Sequence, residues 1–390
     1  MAATDVSRRR VGTSPIQNLR QLNLGCLIFH SKQVFALSFC FAAVTEMAAR
    51  RAQGVGKVTP RMTLPAATST KGLRVGDLVE VLSADEIFAT LDERGELENL
   101  PFMPEMLKFC GQRLTVHKVA HKLCDTINGS GLHRMDNAVH LTGSRCDGSS
   151  HGGCQTACLL YWKEAWLKRV EPGAGAENLR TESRIDLPLL EINTRKEPGP
   201  DGEPRYSCQA TELLRAAPAC LPARDLGQYV TDVQTGNVSA LASLKAFLVV
   251  LFNRLQGASK RLLPRRLWFR DGLAWGFVAG RVIGPTPTAH LNLQPGEMVR
   301  IKTKEQIEAT LNQDRLNRGM GFEEEMSRYC GRTARVHARV TKCLDEKTGR
   351  MLTMKNPCII LDAVVCAGVH NASCPRQFVP FWREIWLERV

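Results

Sequence analysis

Two stretches of the chain open on the same alternation of apolar and polar positions. Gly76-Asp77-Leu78-Val79-Glu80-Val81 is answered 220 residues later by Gly296-Glu297-Met298-Val299-Arg300-Ile301, and a period of two predicts a half-buried strand in each. A short helix follows. Ser83 with Glu86 three residues on forms a capping-box pattern, with Ile87 and Leu91 on one face, and the later stretch keeps it as Thr303, Gln306, Ile307 and Leu311. A second short helix, at 104–109 or 323–329, runs into Cys110-Gly111 or Cys330-Gly331, where glycine suits a helix end. Alternation at 114–119 and 139–141, fuller in the second copy at 358–366, predicts further strands. Each stretch ends on Trp-x-Glu-x-Trp-Leu, from Trp162 to Leu167 and from Trp382 to Leu387. Tryptophans four apart fit one face of a helix or of a strand, and periodicity does not choose.

Laid over one another without a gap, residues 75–170 and 295–390 agree at 27 of 96 positions, far above chance, so the two stretches are copies. Strand, helix, helix and several strands predict an α+β chain. It has two tandem, small, partly open β-barrel (SH3-like) modules with short helical insertions, joined by a helical connector. The division is a basic segment at 1–74, module one at 75–170, a linker plus amphipathic connector at 171–294, and module two at 295–390. The opening segment reads as disordered or as lying upstream of a true start at Met47 or Met62. Arg8, Arg9, Arg10 and Arg20 precede an apolar run at 34–44, a crude signal-peptide pattern. Ser31, Lys32 and Gln33 interrupt it, and it is too short to span a bilayer. The favoured localisation is therefore cytoplasmic.

Hydrophobic content of 44% and charged content of 23% are those of ordinary folded protein and exclude global disorder. The net charge of +13 invites nucleic acid, but its distribution does not. Residues 1–74 carry +9, module one −3, the middle segment +3 and module two +4. A duplicated nucleic-acid reader needs a basic face in both copies, so that partner is disfavoured. In the middle segment, 197–204 reads as linker and 237–256 as an amphipathic helix. Leu241, Leu244, Phe247, Leu248, Leu251, Phe252 and Leu255 form its stripe, and Gly257 supplies a stop. Basic and aromatic residues follow, among them Lys260, Arg261, Arg265, Arg266, Trp268, Phe269 and Arg270. The favoured reading packs this stripe against the modules. The alternative is peripheral membrane contact through 239–270.

Runs such as Leu100-Pro101-Phe102-Met103-Pro104-Glu105-Met106, Pro357-Cys358-Ile359-Ile360-Leu361-Asp362 and the closing Trp-Arg-Glu-Ile-Trp-Leu resemble a family of uncharacterised bacterial proteins. These carry a duplicated Cys-rich domain ending in a Trp-[RK]-Glu-x-Trp-Leu motif. The resemblance implies a bacterial origin and brings no activity with it.

Fourteen cysteines in a chain read as cytosolic point to metal or redox chemistry before disulfides. Both copies keep Cys110/Cys330, His117/His337, Cys146/Cys366 and Cys154/Cys374, three thiols and an imidazole that match a zinc donor set. Module one adds His121, Cys124, His151 and Cys158, and module two adds Cys343 and Cys358. A four-thiolate set for zinc or an iron–sulfur cluster can be drawn in either copy: Cys110, Cys146, Cys154 and Cys158, or Cys330, Cys358, Cys366 and Cys374. The bland alternative is that these thiols fill cores. Trp162, Trp166, Trp382 and Trp386 either seal cores, beside Glu164–Arg169 and Glu384–Arg389 ion pairs, or form an aromatic binding platform. No phosphate-binding glycine loop, dinucleotide fingerprint, His-Glu-x-x-His or Gly-x-Ser-x-Gly is present. The leading expectation is a non-enzymatic or accessory protein whose metal-binding β modules meet a protein partner. The rival is an enzyme, redox-active through iron–sulfur or thiol chemistry, or acting on a carbohydrate or nucleotide between the copies. Module one is the better candidate for a specialised site.

Overall fold

The computed structural model describes residues 72–170, 187–275 and 280–390; the basic opening segment up to residue 71, with the possible start sites, lies outside them. In chain order, module one runs β1 (Leu78–Val81), α1 (Ala84–Phe88), β2 (Glu96–Leu97), β3 (Leu100–Pro101), a 3-10 turn at Pro104–Phe109, β4 (Arg113–Val119), β5 (Lys122–Cys124), β6 (Leu132–Arg134), β7 (Ala138–Leu141), β8 (Trp162–Lys163) and β9 (Leu167–Arg169). The connector adds α2 (Leu187–Asn193), β10 (Arg195–Lys196), β11 (Arg205–Tyr206), α3 (Gln209–Ala216), β12 (Cys220–Leu221), α4 (Gly227–Gln234) and α5 (Ala240–Leu262). Module two then runs β13 (Met298–Ile301), α6 (Lys304–Glu308), β14 (Leu316–Asn317), β15 (Met320–Gly321), α7 (Glu324–Ser327), β16 (Thr333–Leu344), β17 (Met351–Leu361) and β18 (Leu387–Arg389). The class is α+β, built on several small antiparallel sheets.

Strand register carries the duplication into three dimensions. Leu78 faces Thr115 and Val79 faces Arg169, while Met298 faces Arg335 and Val299 faces Arg389, the same pairings at the same 220-residue offset. Module one forms the sheet β8-β7-β4-β1-β9 and module two β17-β16-β13-β18, with a bridge between Ile359 and Trp382 where β7 meets β8 in the first copy. β16 and β17 are long because they run continuously through positions at which module one breaks into β4, β5, β6 and β7. The helix starts behave as the pattern requires: Ser83 with Glu86 and Thr303 with Gln306 both close reciprocal capping boxes.

The tryptophan motif is neither helix nor plain strand. In module one it is β8, a single 3-10 turn and β9, which turns both indoles inward. Trp162, Trp166, Trp382 and Trp386 are all wholly buried. Phe102 meets Trp162 and Trp166 edge-on, and Phe322 does the same with Trp382 and Trp386. They seal cores and leave no aromatic platform, which corrects the binding alternative. The ion pairs are corrected too: Arg169 bonds Asp77 and Arg389 bonds Glu297, each at 2.7 Å, while Glu384 takes Arg339.

The connector helix departs further from expectation. α5 begins at Ser239, whose side chain caps Ala242 N–H, and runs through Gly257 to Leu262. Its buried residues are Ser243, Ala246, Val249 and Gln256; the helix lies against α4 and the 369–371 turn of module two, while Gln256 bonds back to Phe269 O in the segment that follows. The leucine stripe points away from the modules, because small residues let the opposite face approach closely.

The modules touch through a reciprocal exchange. Cys124 N–H donates to Cys374 Sγ at 3.2 Å, and Leu344 N–H, the position matching Cys124, donates to Cys154 Sγ at 3.4 Å. Thr126 hydrogen-bonds Glu346, its own counterpart. Gln155 accepts Thr341 N–H at 2.7 Å and Lys342 N–H at 3.0 Å. Each cysteine loop therefore caps the hairpin of the other copy, and Leu344 joins the core of module one.

Candidate metal centre

The loop after β7 doubles back on itself at residues 146–154, and this return creates the site. Gly148 adopts φ +71° and lies against the backbone of Cys154. Its carbonyl accepts His151 N–H at 3.2 Å and Gly153 N–H at 3.0 Å. Cys146 N–H bonds Cys158 O at 2.8 Å and closes the base. The same scaffold recurs in module two, where Gly368 O accepts Asn371 and Ser373 N–H. The retained glycine and cysteines are therefore loop architecture first.

On this scaffold Cys146 and His151 meet Glu105, carried by the 3-10 turn at Pro104–Phe109. Their donor atoms all lie within 4.8 Å of one another. The Cys146 thiol donates to Glu105 Oε1 at 3.2 Å, and His151 Nε2 lies 3.4 Å from Cys146 Sγ. Glu105 Oε2 accepts Ser150 Oγ–H at 2.5 Å, and Ser150 Oγ also reaches His151 Nδ1 at 3.2 Å. Glu105 and His151 are buried, Cys146 half-buried. Burial, with the Glu105 carboxylate beside it, pushes the Cys146 thiol far above its ordinary range.

A cleft opens beside these residues, lined further by Cys154, Cys158, Cys208 and, from module two, Arg376 and Glu346. It holds about 40 Å³ of room for water centres, against the about 10–15 Å³ that one water needs. Tyr161 lines it with a buried hydroxyl that has no hydrogen-bond partner, a group that calls for a ligand or water. Arg376 is buried, donates to Cys124 O and Thr126 Oγ1 at 2.9 Å each and to Glu346 at 3.2 Å, and stacks over Phe378. Burial raises the Cys158 thiol, and brings that of Cys208 up to about 12. Burial also acts on Cys154, but hydrogen bonds from His151 and Thr156 outweigh it and lower that thiol.

Of the candidate ligands, the structure joins Cys146 and His151, with Cys154 and Cys158 on the same cleft. The others have different work. His121 Nε2 bonds Asp232 at 2.8 Å, and Cys124 and Cys374 meet across the module contact. Cys110 and Cys330 pack against the two cores, with thiols raised to about 11 by burial. Cys358 sits on the core side of β17, its Sγ 3.6 Å from Met320 Sδ. Cys366 Sγ accepts Gly368 N–H. His117 pairs with Gln377 and His337 with Asp362. Among the described residues neither four-thiolate set gathers around one ion-sized point, because core packing and the module contact take those thiols. Module two keeps Glu325 and Cys366, but Asn371 replaces the imidazole and Glu325 accepts the N–H groups of Ala367 and His370.

Sequence reasoning missed Glu105 as a donor, although it is retained in both copies. It also missed Cys208, Tyr161 and Arg376, which no local spacing links to the loop. No family model, curated protein or solved structure matches this chain. Its function is therefore argued from the site alone.

Proposed function

We propose that this is a metal-binding protein in which module one holds one zinc-class divalent ion through Glu105, Cys146 and His151. The convergence of a carboxylate, a thiol and an imidazole within 4.8 Å carries this reading. The mixed oxygen, nitrogen and sulfur set suits zinc better than an iron–sulfur cluster, whose corners are usually thiolates. Three protein donors, not four, is the count at which zinc keeps a position for water or a ligand. Cys154, a further thiol on the same cleft, is engaged with Leu344 N–H and Thr156 Oγ1. Glu105, Cys146 and His151 line the same cleft as Tyr161 and Arg376, which favours a centre that would bind an added ligand over a purely structural ion. Module two, with its carboxylate tied to backbone, serves as a structural partner. An enzyme acting at that position is the rival reading, supported by the donor count.

Full-length protein, stripped by chelator and reloaded with zinc, is expected to take up about one equivalent per chain by elemental analysis. Cobalt in its place should give thiolate charge-transfer absorption. Cys146→Ser, His151→Ala and Glu105→Gln should each weaken retention at least tenfold, while Cys366→Ser leaves it unchanged. Cys154→Ser should keep the ion but lower stability by about 1 kcal/mol through the lost contact with Leu344. Metal uptake that ignores Cys146→Ser, or no uptake at all, would overturn the assignment.

A further inference from the structure

The exposed face of α5 answers to no part of the site and has a distinct chemistry. Leu241, Leu244, Leu248, Leu251, Leu255 and Leu262 are between 40% and 81% exposed. At 100° per residue they fall within an arc of about 80° on one side of the helix. The apolar surface continues past its end through Leu263, Leu267, Phe269 and Trp275, all exposed. Exposed apolar area of this extent on a folded protein marks an interaction surface.

Charge identifies the occupant. Residues 233–270 hold Lys245, Arg254, Lys260, Arg261, Arg265, Arg266 and Arg270 and no acidic residue. Lys245 and Arg254 flank the leucine stripe on its two sides, about 90° from its centre, and the others surround the apolar extension. Among the described residues none of the seven forms an ion pair. Lys260 and Arg270 instead lie over the rings of Trp268 and Trp275. A second copy of the chain docking face to face here would set one cationic rim against another. An anionic bilayer surface complements both features, since leucines enter the acyl boundary and the cations meet headgroup phosphates.

By length and composition alone α5 could cross a bilayer, but its fold context sets another geometry. Ser243 Oγ donates to Tyr229 O at 3.1 Å, Tyr229 meets Phe247 edge-on, and Ala246 and Val249 are buried against the protein. One face is committed to the modules, so the helix lies along a surface. We infer that α5 and the residues after it form an in-plane docking surface for anionic phospholipid membranes, with the modules held on the aqueous side. This inference is independent of the metal reading.

The test is sedimentation of the full chain with vesicles of mixed phosphatidylglycerol and phosphatidylcholine, beside phosphatidylcholine alone. Binding is expected with the anionic vesicles only, and should weaken at least tenfold as salt rises from about 50 to 200 mM, by the charge screening of a multi-cation contact. Residues 1–71 have a basic excess of their own, so Leu248→Ser/Leu255→Ser carries the assignment. Both side chains are exposed, near-UV circular dichroism should match that of the parent, and vesicle binding should fall at least tenfold. Three results overturn the proposal. The parent chain stays in the supernatant with anionic vesicles at low salt. Alternatively, the double variant binds as the parent does, or the parent is a dimer that the double variant converts to monomer.

Discussion

Asp232→Ala is expected to lower the unfolding free energy by about 3–5 kcal/mol, the range for breaking one side of a buried ion pair. Asp232 on α4 and Lys122 on β5 are wholly buried, with Nζ 2.6 Å from Oδ2. Asp232 Oδ1 also accepts His121 Nε2 at 2.8 Å. Lys122 reaches Ala372 O in module two and lies 5.4 Å over the Tyr229 ring. One carboxylate thus holds module one, the connector and, through Lys122, module two. Removing it leaves a wholly buried ammonium without its counter-charge. Burial already lowers the Lys122 pKa, against the raising effect of Asp232, and the variant lowers it further. A depressed lysine releases its proton in the folded state first, so between the folded and the ordinary value the unfolded chain binds more protons. Stability therefore rises with pH through that window, and the variant's deficit should shrink toward pH 10. Lys122→Met/Asp232→Leu should recover most of the loss, because an apolar pair needs no compensation. Urea denaturation near pH 7 measures all three proteins. A loss below about 1 kcal/mol for Asp232→Ala would show that the pair is not a tie between the modules.

Much of the frame was legible in the sequence because its signals are local. Alternation at Leu78–Val81 and Met298–Ile301 marked an interior strand of each sheet, and Ser83 with Glu86 marked a helix start that the structure closes as written. The gapless offset of 220 residues anticipated identical strand registers. What failed was whatever depends on which surfaces meet. The stripe on α5 has a readable face, but periodicity does not say whether that face is covered. Here Ser243, Ala246 and Val249, with Phe247 beside them, make the contact on the other side. The cysteines were grouped by spacing along the chain, whereas Cys124 finds Cys374 in the other copy and Cys358 faces a core. Glu105 was visible as a retained acid within Pro104–Phe109, yet its role arises only when a loop some 40 residues later folds over it.

That loop supplies the second large effect. Gly148→Ala is expected to cut metal retention at least tenfold and to destabilise module one by about 1–3 kcal/mol from backbone strain, with steric displacement in addition. At φ +71° a side chain is strained in any surroundings, and a Cβ here would lie 2.0 Å from Cys154 O and 2.6 Å from Cys154 N. Those atoms are backbone in a turn fixed by His151 N–H and Gly153 N–H on Gly148 O, so the turn itself must open. Opening it moves His151 and Cys146 together, away from Glu105. Two controls separate site loss from general damage. Gly153→Ala has the same sign of φ, at +74°, but meets nothing within 4 Å, so it should lose some stability and keep the ion. Gly368→Ala repeats the clash in module two, 2.5 Å from Cys374 O, and should lose stability without changing stoichiometry. Elemental analysis and thermal melts of the three variants read both quantities. If Gly148→Ala binds metal as the parent does, the ion is not held by the 146–154 turn.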